Sequence, residues 1–189
     1  VMRRKGVTTD LYAGLEDFEE MSFLLHLLTE DDTFLDVGAN VGSYTILASA
    51  VRFARSITVE PTPSTFTFLR ENILLNDILE RVLLLNLALG KEVGHLKFTS
   101  NLNSMNHVVQ HGSCVSFSNT TSIIKKKKEN ELIDVPVQTL DGILQNNITP
   151  LLIKIDVEGF ETEVLLGGKN TLNNPDLKAV IIELNGSGL

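Results

Sequence analysis

Cysteine is almost absent from this 189-residue chain: Cys114 stands alone, so neither an internal disulfide nor a cysteine-built zinc cluster can form. That usage fits reducing, cytoplasmic surroundings, and an incidental cysteine outweighs a reactive thiol. Positive charge is short as well, with 16 basic residues against 24 acids and a formal charge of −8. Such a field repels polyphosphate and anionic lipid, which makes nucleic acid a poor partner. Long apolar runs are missing; 82–85 and 151–155 fall far short of the ~20 residues that cross a bilayer, so no membrane span is expected. Met2-Arg3-Arg4-Lys5 has the charge of a secretion signal, but the polar stretch 6–10 follows where an apolar segment is needed. Glycosylation tripeptides at Asn119, Asn147 and Asn185 carry no weight without secretion. There is no internal repeat.

What is present suits one globular domain over 1–189, since 43% hydrophobic content can fill one substantial core. Leu11, Leu15, Phe18, Met21, Leu25 and Leu28 recur at helical spacing, opposite acids at Glu16, Asp17, Glu19 and Glu20, and predict a packing helix within an N-terminal segment 1–32. His26 within it reads as structural. From residue 33 the pattern alternates: strand 33–37, helix 42–54, strand 56–60, helix 63–76, strand 82–88, and later strand 151–157, helix 160–167 and strand 179–184. That alternation predicts an α/β chain with a mostly parallel sheet and helices on both faces. Thr62-Pro63 offers a hydroxyl cap and a first-turn proline for the second helix, and Gly167-Gly168 a stop for the third.

Residues 90–135 interrupt the alternation, with Asn, Ser, Thr and Gly in abundance and a lysine run at Lys125–Lys128. His95–Thr99 and Val135–Gln138 are expected to pair as a hairpin whose long loop covers a substrate. The lysines read as a solvated tip, with attraction of an anionic substrate as the alternative. The strand at 179–184 is apolar and lies five residues from the end of the sequence, and Val1 precedes Met2. These features suggest a fragment lacking later strands; a homo-oligomer that seals the exposed sheet edge is the competing account.

The most informative stretch is Phe34-Leu35-Asp36-Val37-Gly38-Ala39-Asn40-Val41-Gly42-Ser43-Tyr44, where an apolar strand ends in an acid and two glycines before a helix begins. Backbone turned this tightly can approach a nucleotide-like ligand, with amides at the helix start facing a polar group. A second strand ends in Glu60, about where a ribose-binding carboxylate belongs. The spacing lacks the G-x-G-x-x-G of dinucleotide enzymes and the lysine of phosphate-binding loops. An adenosine-containing cofactor is expected, and triphosphate hydrolysis is not.

Together these blocks resemble the FkbM type of S-adenosylmethionine-dependent methyltransferases. The resemblance rests on 34–42, on Val59-Glu60-Pro61 with Phe66, Leu69, Asn72 and Asn76, on Asn86-Leu87-Ala88-Leu89-Gly90, on 153–161, and on Ile181-Ile182-Glu183-Leu184. It implies a Rossmann-like class I methyltransferase fold, truncated here after the fifth strand. It also implies that Asp36, Gly38, Asn40, Gly42 and Ser43 hold the methionine end of S-adenosylmethionine, that Glu60 accepts from both ribose hydroxyls, and that Ala88, with Asn86 and Leu87, flanks the adenine.

Catalysis is expected in 153–161. Along an extended strand Lys154, Asp156 and Glu158 project to one side, and Ile153, Ile155 and Val157 to the other. A buried lysine needs an acid, so Lys154 should pair with Asp156 or another carboxylate, and an ion pair that merely orients the strand end is the plain alternative. Methyl transfer to a hydroxyl needs in-line positioning and a base, for which Asp156 is favoured over Glu158. Asp156 could instead hold the cofactor's amino group. His95 and His107 are loop-borne alternatives, more simply read as surface histidines. Asp156, Glu183 and Asn185 offer oxygen ligands for magnesium, although ordinary strand-end acids explain them and no metal is assigned. The expected activity is O-methylation of a small-molecule hydroxyl, and the family resemblance implies a sugar or glycolipid among the acceptors. The competing classes are a nicotinamide-dependent oxidoreductase and a noncatalytic cofactor-binding module.

Overall fold

A computed structural model describes residues 17–99, 132–144 and 148–183. In chain order the elements are helix α1 (Phe18–Leu27), β1 (Thr33–Val37), α2 (Ser43–Ile46), β2 (Arg55–Val59), α3 (Pro63–Leu75), β3 (Val82–Leu85), β4 (Ala88–Leu89), β5 (Gly94–Thr99) and β6 (Leu132–Gln138). There follow α4 (Leu140–Ile143), β7 (Leu152–Ile155), α5 (Glu161–Leu166), α6 (Lys169–Leu172) and β8 (Ala179–Ile182). Five strands form a parallel sheet in the order β3-β2-β1-β7-β8. The chain walks outward from β1 to β3 and then returns to β1's other side with β7. Strand order therefore reverses between β1 and β7, the place where a crevice opens beyond the strand ends.

Alternation within each strand sends side chains to two cores. Leu35, Val37, Ile57, Val59, Ile153 and Ile155 pack on one face with Leu140 and Val164. Phe34 and Leu152 face the other way, against Met21, Leu24, Leu28, Tyr44 and Ala48. Asp36 and Lys154 share that second face by period two, and they are register partners on β1 and β7. The fold thus puts two charged side chains on the inner, helix-covered face of its central strands.

Several predicted boundaries shift. Of the N-terminal helix, Leu11 and Leu15 lie outside the described residues; Phe18, counted in the apolar stripe, opens the helix and is 69% exposed. The helix predicted over 42–54 is a short α-helix that widens into a π-helical turn at Leu47–Val51. The strand predicted over 82–88 breaks after Leu85, where Asn86 turns aside and its amide Nδ2 donates to the Glu60 carbonyl (2.8 Å) and the Pro61 carbonyl (3.1 Å). Pairing resumes in a second sheet, β4-β6-β5. Its antiparallel β5–β6 pair is the expected hairpin, with Leu96 opposite Val135 and the pairing extended to Leu132. His107, Cys114 and the lysine run fall outside the described residues. The strand predicted over 151–157 covers Leu152–Ile155, and beyond it Glu158 adopts a left-handed conformation (φ 53). All four residues of β8, at the sheet edge, are partly exposed.

Gly167, which follows α5, packs against backbone: a Cβ there would overlap the Gly90 carbonyl oxygen, whereas one at Gly94 would meet nothing. Gly167→Ala is therefore expected to cost about 1–3 kcal/mol by forcing backbone apart. Gly94→Ala should be neutral or gain up to about 1 kcal/mol through the unfolded chain. Urea unfolding of the two variants beside the parent checks both.

Candidate active site

The segment after β1 is a turn built from left-handed residues, Gly38 (φ 80), Asn40 (φ 51) and Gly42 (φ 93). Gly38 and Ala39 both donate their amides to the Val59 carbonyl, at 2.9 and 3.0 Å, which locks the turn to the end of β2. Glycine is required at 38 twice over: its φ is positive, and a Cβ would overlap the carbonyl oxygen of Asp156. From α3, the buried Asn72 donates Nδ2 to the Val41 carbonyl (2.9 Å) and braces the turn from behind. The cradle of outward-facing amides expected here is smaller than the sequence implies. Asn40 donates to Glu60, Gly42 to the Ala39 carbonyl and Thr45 to Asp36, so those groups hold the protein's own turn.

Glu60 lies at the end of β2 and is 6% exposed. Its Oε2 accepts from the Asn40 amide (3.1 Å) and its Oε1 from the Thr62 amide (2.9 Å). The Thr62 hydroxyl also turns to this carboxylate and makes no cap for α3, contrary to the sequence expectation. The hydroxyl hydrogen goes to the carboxylate, a strong acceptor close at hand. Burial pushes the Glu60 carboxyl up to about 7, against the pull of these hydrogen bonds.

Beneath the turn runs a buried polar seam between α2 and the sheet. Asp36 Oδ2 accepts from the Thr45 amide (3.1 Å) and hydroxyl (2.6 Å), and that hydroxyl lies 3.0 Å from Thr58 Oγ1. One turn on, Ser49 and Ser56 share a 2.7 Å hydrogen bond. Among the described residues nothing hydrogen-bonds the buried Asp36 Oδ1. Burial raises the Asp36 pKa, with Lys154 and Thr45 opposing the shift.

Lys154 and Asp156 pair as predicted, with Nζ 2.9 Å from Oδ2, the lysine 7% exposed and the aspartate 27%. The ammonium also sits 4.7 Å above the centre of the Tyr44 ring, whose hydroxyl donates to Asp17 Oδ2 (2.9 Å). Glu158 does not join them on one strand face, because the strand has ended and its side chain is exposed. Glu183, at the end of β8, has a raised pKa owing first to the charge of Asp156, then to burial, with Asp17 and Glu158 adding to it. Glu183 thus feels three other carboxylates.

Other predicted residues fall elsewhere. Ala88 is buried in the second sheet among Val135 and Val137, and Asn86 is the residue bonded to the Glu60 backbone. Ser43 is half-buried at the start of α2. His95 pairs with Asp134 at 2.9 Å on an exposed hairpin. Asn185 lies outside the described residues, and among the described ones no group of three His, Cys, Asp or Glu is set to hold a metal. Sequence reasoning passed over Tyr44, Thr45, Thr58 and Asp17. The signal available was the polar alternation Ser56, Thr58 in a strand buried on both faces.

A parallel sheet with a switch-point crevice, a glycine turn and a buried acid after the second strand defines a Rossmann-like α/β class of ligand-binding fold. Residues 36–188 match the model of the methyltransferase FkbM domain, and the chain belongs to that family. It is 30% identical over 162 residues to the hexuronic acid methyltransferase AglP of Haloferax volcanii, covering 86% of this chain and 59% of that protein. With methyltransferase sdnD of Sordaria araneosa it shares 26% identity over 171 residues, 80% of this chain and 66% of the relative. The chain thus spans under two thirds of each relative's length. A precorrin-6y C5,15-methyltransferase from Geobacter metallireducens GS-15 has the same fold, at 14% identity and a TM-score of 0.51, over 96% of this chain and 66% of that one.

The raised Glu60 pKa fixes a sign. A carboxyl that holds its proton more tightly when folded stabilises the protein at low pH, and that contribution is lost as pH rises from 4.5 through about 7. The loss amounts to about 3 kcal/mol. Chemical denaturation of the ligand-free protein from pH 4.5 to 8 should show this decline, and Glu60→Gln should flatten it.

Proposed function

We propose that this chain binds S-adenosylmethionine at the crevice above β1, β2 and β7 and transfers its methyl group to a hydroxyl of a small molecule, sugar or glycolipid. The observation that carries the reading is Glu60: a buried acid at a strand end, fixed by the amide of Asn40 in the glycine turn and by the amide of Thr62. An ionised carboxylate has about four lone-pair sites, so two amides leave room for ribose hydroxyls, and the Thr62 hydroxyl can rotate away. The unpartnered Asp36 Oδ1 beneath the turn is a second feature that suits a ligand carrying an amino group nearby.

Within this reading Asp36, Gly38, Asn40, Gly42 and Ser43 hold the methionine end, Glu60 the ribose, and Ala88 with Asn86 and Leu87 the adenine. The bound cofactor supplies an electrophilic methyl group. Asp156 takes the acceptor's hydroxyl proton; Lys154 engages its Oδ2, which directs Oδ1 to the acceptor. Glu158 stands at the same rim as a secondary acid. AglP is named for hexuronic acid, which supports a sugar acceptor. The negative chain and the absence, among the described residues, of any helix long and apolar enough to cross a membrane fit a small-molecule partner. The partly exposed β8 edge is the surface for a homo-oligomer.

Calorimetry with S-adenosylhomocysteine tests the cofactor half. Glu60→Ala should weaken binding about 10–100-fold, the loss of hydrogen bonds to a charged acceptor. Binding of NAD in its place would turn the reading toward an oxidoreductase. For the acceptor half, labelled donor is offered to neutral sugars, hexuronic acids and glycolipids, and products are sorted into methyl ethers and methyl esters. Asp156→Asn is expected to lower turnover about 100-fold at unchanged cofactor affinity; ester products alone would overturn hydroxyl methylation.

A further inference from the structure

One buried ammonium serves two carboxylates. Lys154 stands opposite Asp36 in the β1–β7 register, and Asp36 is fully buried with Oδ1 unpartnered. Yet the ammonium engages Asp156, whose side chain is 27% exposed and better able to rely on water. Burial holds the Asp36 carboxyl toward its neutral form and so weakens its pull on the ammonium, although Lys154 opposes that shift. The Tyr44 ring is the group in place to keep the lysine at the rim. It lies 4.7 Å beneath Nζ, itself 6% exposed, with its hydroxyl anchored on Asp17. A desolvated cation–π contact is strong enough to compete with a charge-assisted hydrogen bond.

We propose that Tyr44 is a positioning residue: its ring holds Lys154 on Asp156 and away from Asp36, and so keeps Asp156 aimed at the place where the methyl group is transferred. This rests on the cofactor reading above and names a residue that reading does not use. Tyr44 comes two residues after Gly42 and opens α2 with Ser43, so the cofactor turn and the aim of the rim acid share one short segment. The ring rather than the hydroxyl is the working part.

The test needs no acceptor. Sinefungin carries a primary amine where the donor has its methylated sulfonium, whereas S-adenosylhomocysteine carries nothing there; both share the amino-acid end and the ribose. An aimed Asp156 should therefore make the protein prefer sinefungin. Calorimetry on the whole chain measures both affinities. Asp156→Asn should reduce that preference about tenfold, the scale of a charge-assisted hydrogen bond, and Tyr44→Leu should reduce it equally while S-adenosylhomocysteine affinity stays within about threefold. Tyr44→Phe, which keeps the ring and loses the Asp17 bond, should restore the parent preference. Should Tyr44→Leu fail to fold by circular dichroism, Lys154→Gln carries the same expectation. A parent-like preference in Tyr44→Leu or Lys154→Gln, with S-adenosylhomocysteine still bound, overturns the positioning role alone. No heat from either ligand with the parent protein overturns the cofactor reading and this inference with it.

Discussion

The contact on which the site depends is between two pieces of backbone: the α-carbon of Gly38 against the carbonyl oxygen of Asp156. It joins the turn after β1 to the turn after β7, the two strands that flank the reversal in strand order. No side chain fits between them. Because the Gly38 and Ala39 amides are tied in turn to Val59, the ends of three strands are fixed relative to one another by main-chain contacts. The side chains at those ends, Glu60 and Asp156 above all, inherit that geometry, and a site assembled from neighbouring strand ends is more rigid than one hung on loops.

Fixing the strand ends places charge where water is scarce, and the protein resolves this differently for two of its buried acids, Glu60 and Asp36. Glu60 is surrounded by donors from its own turn, and its carboxyl still rises to about 7 because burial outweighs them. Asp36 receives Thr45 on one oxygen only, and burial raises its pKa against the pull of Lys154 across the register. The seam of Thr45, Thr58, Ser49 and Ser56 extends this polar interior along α2. Apolar residues would pack there at lower cost. A seam of this kind is retained where the structure spends stability on one particular arrangement, and it lies directly under the proposed ligand turn.

The sequence made the parallel sheet legible because each central strand is an apolar run ended by an acid or a glycine, and the intervening periods are helical. It was less informative where one run served two sheets. Val82 to Ala88 reads as a single strand, and only the sideways bonds of Asn86 to the Glu60 and Pro61 carbonyls explain why it divides after Leu85. The Lys154–Asp156 pair followed from the cost of an unpaired buried cation. Tyr44 did not, since an aromatic at helical spacing looks like core, and its cation partner is more than a hundred residues away in sequence. Thr62 was misassigned for a related reason: local rules know the helix behind it but not the carboxylate beside it.

That distinction bears on how the rim is organised. Glu60 is held by backbone amides from residues 40 and 62, so its position is set by the turns themselves and survives side-chain motion around it. Asp156 is held by a side chain, Lys154, which is held in turn by Tyr44 and through it by Asp17 at the start of α1. Each link adds torsional freedom that a backbone bond lacks. A ligand group that must only be gripped is well served by the first arrangement. A group that must take up a proton as bonds change needs room to adjust, and the second arrangement supplies it while Coulomb attraction keeps the acid within reach of its partner. The division of the rim into a backbone-held acid and a side-chain-held acid thus matches the division of labour in the proposed binding and transfer.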